Sequence, residues 1–408
     1  MGKHIAFVSI PAQGHVNPAL PLVSELVARG HRVSFATAPA RLDQVAAAGA
    51  EPVPAPFRLP LPPGDGKLLD AGTVGLRFEE FYESVVEVFP RLVEHFAADR
   101  PELFCVDAMT PVGRMVAQKL GVPLAAMHPT HASNKEFSLR ATVMGIEGAL
   151  SDPASVEVVI GAVQEVGRKV RAFAEENGVD PDYDMFDYPA DHNLVFIPRE
   201  FQIKGETFDD RFRFPGPTIV ERPDAGNWQP DGKPLLYISL GTLFNDNLEF
   251  YRSCLDAFGG TEWQVAMSVG AEVDLAELGP VPGNIDVRPH FPQLEVLREA
   301  SAFVSHCGMN STMEALFFGV PLVGVPQQAE QLINAERAAE LGFGAVLAPE
   351  ELTAARLRES VEAVAADGRI RANLDEISAK LRERRGAVLA ADALLAQLDR
   401  TAADALPD

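Results

Sequence analysis

Short apolar runs alternate along this chain with longer stretches in which apolar residues recur at helical spacing. That is the pattern of a strand–helix repeat built on a parallel sheet. Ile5–Ile10 reads as a buried strand and Pro18–Arg29 as a helix stopped by Gly30. Arg32–Ala36 is the next strand, followed by a helix near Arg41–Ala48 stopped by Gly49. A strand at Glu102–Asp107, a helix at Pro111–Leu120 and a strand at Pro123–Met127 continue the alternation. Between them Pro52–Lys67, rich in proline and glycine, reads as an irregular loop, and residues 134–178 read as helices. Phe214–Pro234, dense in proline and glycine, marks a linker. A second set then begins, with strands at Leu235–Leu240, Gln264–Val269, Ile285–Arg288, Ala302–Ser305 and Leu322–Val325, and a helix at Glu249–Phe258. The tail from Thr353 is helical. Two doubly wound α/β domains are expected, with a cleft at the C-terminal ends of their strands.

Composition narrows the classes of function. The 408 residues are 47% hydrophobic and 23% charged, which excludes a disordered chain, and the net charge is −23. So acidic a surface repels nucleic acid and anionic membranes, though backbone amides can still hold a small anionic ligand. Cys105, Cys254 and Cys307 form no CxxC pair, so neither a disulfide framework nor a zinc ribbon is indicated. The opening strand is too short for a signal-peptide core, and no run approaches the ~18 apolar residues of a membrane span. A cytoplasmic protein is expected, either monomer or homodimer.

Chemistry concentrates in three segments. In His306-Cys-Gly-Met-Asn-Ser-Thr-Met-Glu314 a strand gives way to a small, polar loop and then a helix, which leaves amides unpaired at the helix start. Gly308 allows close backbone approach, Asn310, Ser311 and Thr312 add donors, His306 can donate to a phosphate oxygen, and Glu314 can accept from vicinal hydroxyls. Together these suit a sugar nucleotide diphosphate. Ser311-x-x-Glu314 is equally a capping box, with His306 an ordinary loop histidine. The second segment, Pro326-Gln-Gln-Ala-Glu330-Gln331, follows a buried strand and puts a carboxylate and an amide at the same sheet edge. The third is Ile10-Pro-Ala-Gln-Gly-His15-Val-Asn-Pro18, where Gly14 allows a tight turn, Asn17-Pro18 starts the helix, and His15 lies at a strand's C-terminal edge. Asp107 ends a strand that an adjacent position in the sheet would bring against His15.

These motifs resemble the donor-binding signature of the GT-B, family 1 glycosyltransferases, and the chain is similar nearly end to end to the bacterial macrolide and flavonoid glycosyltransferases. The resemblance implies an acceptor-binding domain over 1–215, a linker over 216–234 and a nucleotide-sugar-binding domain over 235–385. A C-terminal helix, 386–408, would pack back on the first domain. It implies that His15 and Asp107 form the catalytic dyad. His306, Gly308 and the Asn310–Thr312 amides would hold the diphosphate, with Gly241-Thr242 closing from the other side. Glu314 would bind the ribose, and Glu330 with Gln331 the sugar. His290-Phe291-Pro-Gln293 would meet the base; the family often has Trp where His290 stands, and imidazole is a smaller stacking surface.

The implied reaction is an inverting transfer of a hexose, with UDP-glucose as working donor and dTDP-deoxysugars as the alternative. It needs no metal and no cofactor. Neutral imidazole takes the acceptor's proton while the carboxylate holds its tautomer. A hydrophobic small-molecule acceptor would rest on loops near Phe57–Leu69, Thr73–Phe89 and Met109–Met144, which supply Phe78, Phe81, Phe89, Met109, Phe137 and Met144, with His128 and His131 nearby. A UDP-sugar epimerase and a non-catalytic helper protein are the rival readings. Asp180-Pro-Asp182-Tyr-Asp184 imitates a metal motif but lacks the glycine and glutamate of a calcium loop, and reads as solvated. No GxGxxG joins a strand to a helix, which counts against a dehydrogenase.

Overall fold

The computed structural model describes residues 2–58, 74–150, 153–180, 190–219, 230–242 and 245–404. They fall into two compact units: residues 2–58, 74–219 and 384–404 in the first, residues 230–383 in the second.

The first unit begins β1 (His4–Val8), α1 (Gln13–Ala28), β2 (Arg32–Thr37), α2 (Leu42–Ala47), β3 (Glu51–Pro54) and α3 (Val74–Ala98). It continues with β4 (Leu103–Asp107), α4 (Pro111–Leu120), β5 (Leu124–His128), α5 (Leu139–Leu150), α6 (Pro153–Glu176), β6 (Asn193–Val195) and β7 (Phe212–Arg213). The second unit holds β8 (Leu235–Ser239), α7 (Leu248–Phe258), β9 (Gln264–Ser268), β10 (Ile285–Arg288), α8 (Gln293–Glu299), β11 (Ala302–Ser305) and α9 (Met309–Phe318). It closes with β12 (Leu322–Gly324), α10 (Ala329–Glu340), β13 (Gly344–Val346), α11 (Ala354–Ala366) and α12 (Gly368–Arg384). The last helix, α13 (Gly386–Asp404), belongs to the first unit, where Ala390, Ala391, Leu394 and Leu398 share a core with the α1 residues Leu22, Val23 and Leu26.

Both sheets are wholly parallel. Their orders are β3-β2-β1-β4-β5-β6-β7 and β10-β9-β8-β11-β12-β13. The central strands β1, β4, β8 and β11 are buried along their whole length because helices cover both faces of each sheet. Thus Ile5, Phe7, Leu103 and Cys105 enter one core while Ala6, Val8, Phe104 and Val106 enter another. In each sheet the order reverses at one place, between β1 and β4 and between β8 and β11. In open α/β sheets such a reversal is where flanking connections leave to opposite sides and ligands bind at the strand ends.

Several elements depart from the sequence reading. Helix α1 starts at Gln13 rather than Pro18, so Gly14 and His15 lie in its first turn and not in a tight turn before it. Extended Ala12 supplies the carbonyl that His15 and Val16 N–H groups share, without any capping side chain. Pro18 and Pro21 sit inside the helix, where each removes an amide; a face containing Val16, Ala19, Leu22, Val23 and Leu26, all fully buried, offsets that loss. The Thr218 hydroxyl donates to the Pro18 carbonyl. Residues 51–54 form β3 rather than part of a loop, and an edge position tolerates Pro52 and Pro54 because half its amides need no partner. Residues 74–89 belong to the long helix α3, not a loop. The short strands β6, β7 and β13 were not legible. Much of the proline-rich linker and of the Asp180–Asp184 segment, and the stretch from 59 to 73, lie outside the described residues.

Candidate functional site

In the first unit the reversal point carries a buried carboxylate and a partly exposed imidazole. Asp107 is the last residue of β4, which pairs with β1 in a register that sets Val106 beside Val8. The chain leaving β1 turns into α1, and His15 in its first turn meets Asp107, with Nδ1 2.7 Å from Oδ2. The imidazole is 18% exposed and the carboxylate 1%. The other carboxylate oxygen accepts the Met109 N–H at 2.9 Å. With Nδ1–H donated to Asp107, the lone pair of a neutral imidazole sits on Nε2, the tautomer that a general base requires.

The residues expected around an acceptor divide by burial. Phe81 and Phe89 are committed to the core between α3, α4 and α6, and Phe78 packs against it. Phe137 is buried edge-on to His131, whose ring stacks on Phe201. His128 is the last residue of β5, buried and hydrogen-bonded to Asn193; burial pushes its imidazole down to about 4. Met144 is half-buried on α5, and Met109, beside the dyad, is 42% exposed. As surfaces open to a ligand, Phe81, Phe89, Phe137, His128 and His131 are thus corrected to interior positions: Phe81 and Phe89 on the core face of α3, His128 at the end of β5, and His131 and Phe137 in the segment between β5 and α5.

In the second unit the reversal point lies between β8 and β11, and Ser239 and Ser305 face each other there in register. Beyond β8, Gly241 has φ +83° and donates its N–H to the Ser239 hydroxyl, while its carbonyl accepts from Asn245 Nδ2. Thr242, next along, is exposed. Beyond β11 the His306 ring lies between two glycines. A Cβ at Gly241 would come within 2.6 Å of the ring, and one at Gly308 would overlap Nε2. Burial pushes the His306 imidazole down to about 4, and its Nδ1 has no hydrogen-bond partner.

Helix α9 starts at Met309 with Gly308 as its cap, so the capping-box reading of Ser311-x-x-Glu314 fails: Ser311 is already inside the first turn. The Thr312 amide is also spoken for. Its N–H and its hydroxyl both bond the Gly308 carbonyl, which corrects its expected place among the phosphate-binding amides and leaves those of Met309, Asn310 and Ser311. Gln293, at the start of α8, donates Nε2 to Ser311 Oγ at 3.1 Å and to Glu314 Oε2 at 2.5 Å, and its Oε1 accepts from the buried Tyr237 hydroxyl at 3.2 Å. It fixes the Glu314 carboxylate. His290 is exposed, while Phe291 is buried beneath the Arg288 guanidinium. Glu330 and Gln331 open α10, and Gln331 Oε1 accepts the Gln327 N–H at 2.7 Å. Tyr237, Asn245 and Asn334, whose Nδ2 donates to the Cys307 carbonyl, take part in this arrangement and carry no signal in the sequence. Each acts on a residue distant in sequence or inside a loop, so no local pattern marks it.

Comparison with known proteins shows the family. Residues 252–387 match the family model described as erythromycin biosynthesis protein CIII-like, C-terminal domain. The chain is 38% identical to the NDP-glycosyltransferase YjiC of Bacillus licheniformis over 405 residues, covering 97% of this chain and 98% of that protein. It is 35% identical to the oleandomycin glycosyltransferase of Streptomyces antibioticus, with 97% and 91% covered. Among solved structures, the calicheamicin glycosyltransferase CalG4 superposes with a TM-score of 0.82 at 35% identity, covering 98% of this chain and 99% of that one. The chain belongs to the family 1 glycosyltransferases, and its two parallel-sheet units are those of the GT-B fold. It is a glycosyltransferase of the antibiotic and NDP-glycosyltransferase type, and these relatives do not favour the epimerase or helper readings. No helix among the described residues is long and apolar enough to cross a membrane.

Proposed function

We propose that this enzyme moves a hexose, with glucose the working choice, from a UDP-sugar to a hydroxyl of a hydrophobic natural product such as a macrolide or flavonoid, with inversion and without a metal. The observation that carries the reading is the His15–Asp107 pair, a buried carboxylate holding a partly open imidazole in the tautomer of a base. His15 Nε2 takes the proton of the acceptor hydroxyl, and Asp107 stabilises the imidazolium that forms. The acceptor oxygen bonds to the anomeric carbon as the bond to the diphosphate oxygen breaks, and one displacement inverts that carbon. Negative charge grows on the departing diphosphate, where His306 and the first amides of α9 oppose it by preset electrostatics.

Glu314, steadied by Gln293, accepts from the ribose hydroxyls. Glu330 accepts from the sugar, and Gln331, its Oε1 engaged by Gln327, offers its amide N–H groups. An exposed His290 gives the base less stacking surface than an indole would. The similarity to an oleandomycin glycosyltransferase supports a macrolide-class acceptor. The test is calorimetric titration with UDP, dTDP and NAD, on the parent protein and on Glu314→Ala and His15→Ala, followed by turnover with an acceptor panel read by mass spectrometry. UDP binding that weakens in Glu314→Ala and persists in an inactive His15→Ala is expected. Preference for dTDP would move the donor to a deoxysugar; NAD binding with neither nucleotide would refute the donor site.

A further inference from the structure

The turn that presents His306 is built in a backbone conformation its sequence does not favour. Cys307 has φ +59°, and only two other non-glycine residues among those described, Lys204 and Arg385, share the left-handed region. A side chain with a Cβ is disfavoured there, because the Cβ crowds the following carbonyl. Such a conformation persists where surrounding contacts over-determine it. Three do so here. The Cys307 N–H donates to Ser305 Oγ at 3.0 Å. Its side chain is fully buried, and Sγ lies so near Gly324 that a Cβ there would stand 3.0 Å away. Its carbonyl accepts from Asn334 Nδ2 at 3.1 Å.

Asn334 is fully buried in the middle of α10, and its Oδ1 has no hydrogen-bond partner, so the amide sits in the interior for the bond that its nitrogen makes. It lies one helical turn beyond Gln331, on the same side of α10. Helix α10 thus carries the expected sugar-reading residues in its first turn and braces the phosphate turn in its second.

We propose that Asn334 is a positioning residue for nucleotide-diphosphate binding: by holding the Cys307 carbonyl it keeps the left-handed turn that sets His306 and the first amides of α9. The proposal rests on the donor-site reading above. It predicts a coupling between residues 334 and 307, because glycine at 307 has no Cβ penalty and needs no brace.

The experiment titrates UDP by calorimetry into the parent, Asn334→Ala, Cys307→Gly, the double variant and His306→Ala, with thermal unfolding recorded for each. The expected result is a loss of about tenfold in UDP affinity for Asn334→Ala, shrinking to less than about threefold when the same change is made in the Cys307→Gly background. Asn334→Leu, close in volume and without a donor, is read in place of the alanine variant if that one does not fold, with the same expectation. Parent-like UDP affinity in Asn334→Ala with a lowered melting temperature would overturn the proposal, because the residue would then only pack. Equal losses in both backgrounds would overturn it too, since its effect would not pass through the turn. In either case a weakened His306→Ala leaves the donor site standing. If His306→Ala binds UDP like the parent, the donor-site reading itself falls and takes the proposal with it.

Discussion

Replacing Asp107 by asparagine isolates the tautomer from the packing. The carboxylate is buried with both oxygens engaged, Oδ1 by the Met109 N–H at 2.9 Å and Oδ2 by His15 Nδ1 at 2.7 Å. An asparagine has one oxygen and one amino group for these two places. Turning the amino group toward Met109 would face donor against donor and leave a buried N–H unpaired, at about 1–3 kcal/mol. The favoured arrangement keeps the oxygen on Met109 and points the amino group at His15. Nδ1 must then accept, the ring proton moves to Nε2, and the base is lost. The expected fall in kcat is roughly 100- to 10,000-fold, the range that a positioned general base contributes. UDP affinity should stay unchanged, because residue 107 belongs to the first unit and the groups proposed to bind the nucleotide to the second. Initial rates with a saturating acceptor, alongside calorimetric titration of UDP, check both halves. A variant that keeps kcat within about threefold of the parent would refute the assignment of His15 as base.

The remaining predictions concern the second unit and stability. Gly308→Ala keeps an ordinary φ of −57° yet drives its Cβ into His306 Nε2, so UDP affinity should fall at least about tenfold with little change in melting temperature, both measured on one preparation. Tyr237→Phe removes the hydroxyl that holds Gln293, and through it Glu314; UDP affinity should drop about fivefold while inorganic pyrophosphate binding, which needs no ribose contact, stays the same. His128 is held near 4 by burial against about 6.5 in the unfolded chain, so between these values the unfolded state binds a proton that the folded state refuses. Stability is therefore lost as pH falls through that window, by about 2 kcal/mol at pH 5 from this residue alone. Denaturant titrations at pH 8 and pH 5 should show His128→Gln without that share of the loss.

Much of the architecture was legible because it rests on local patterns. Ile5–Val8 is short and apolar throughout and Ala302–Ser305 is apolar up to its last residue, as strands covered on both faces are, and Gly30 and Gly49 stop helices at positive φ. The segment His306–Glu314 announced a strand, loop and helix start by residue type alone. Where the reading went astray, a local rule lost to a tertiary one. Pro18 reads as a helix start, yet the core face of α1 carries the helix back to Gln13. Pro52 and Pro54 read as loop, yet an edge position in the sheet accepts them. Ser311 and Glu314 have the spacing of a capping box, yet α9 begins earlier and both turn to Gln293 instead.

What the sequence determined by itself was the alternation of strands and helices and the identity of the chemical groups, since hydrophobic period, glycine placement and residue type are properties of neighbours along the chain. Only the tertiary structure decided which of those groups meet. His15 and Asp107 are 92 residues apart, Gln293 and Glu314 21, and Cys307 and Asn334 27. They are brought together by the order of strands in each sheet and by helices packed onto its faces. That order is set by which apolar faces bury each other, a long-range sum that no single segment records.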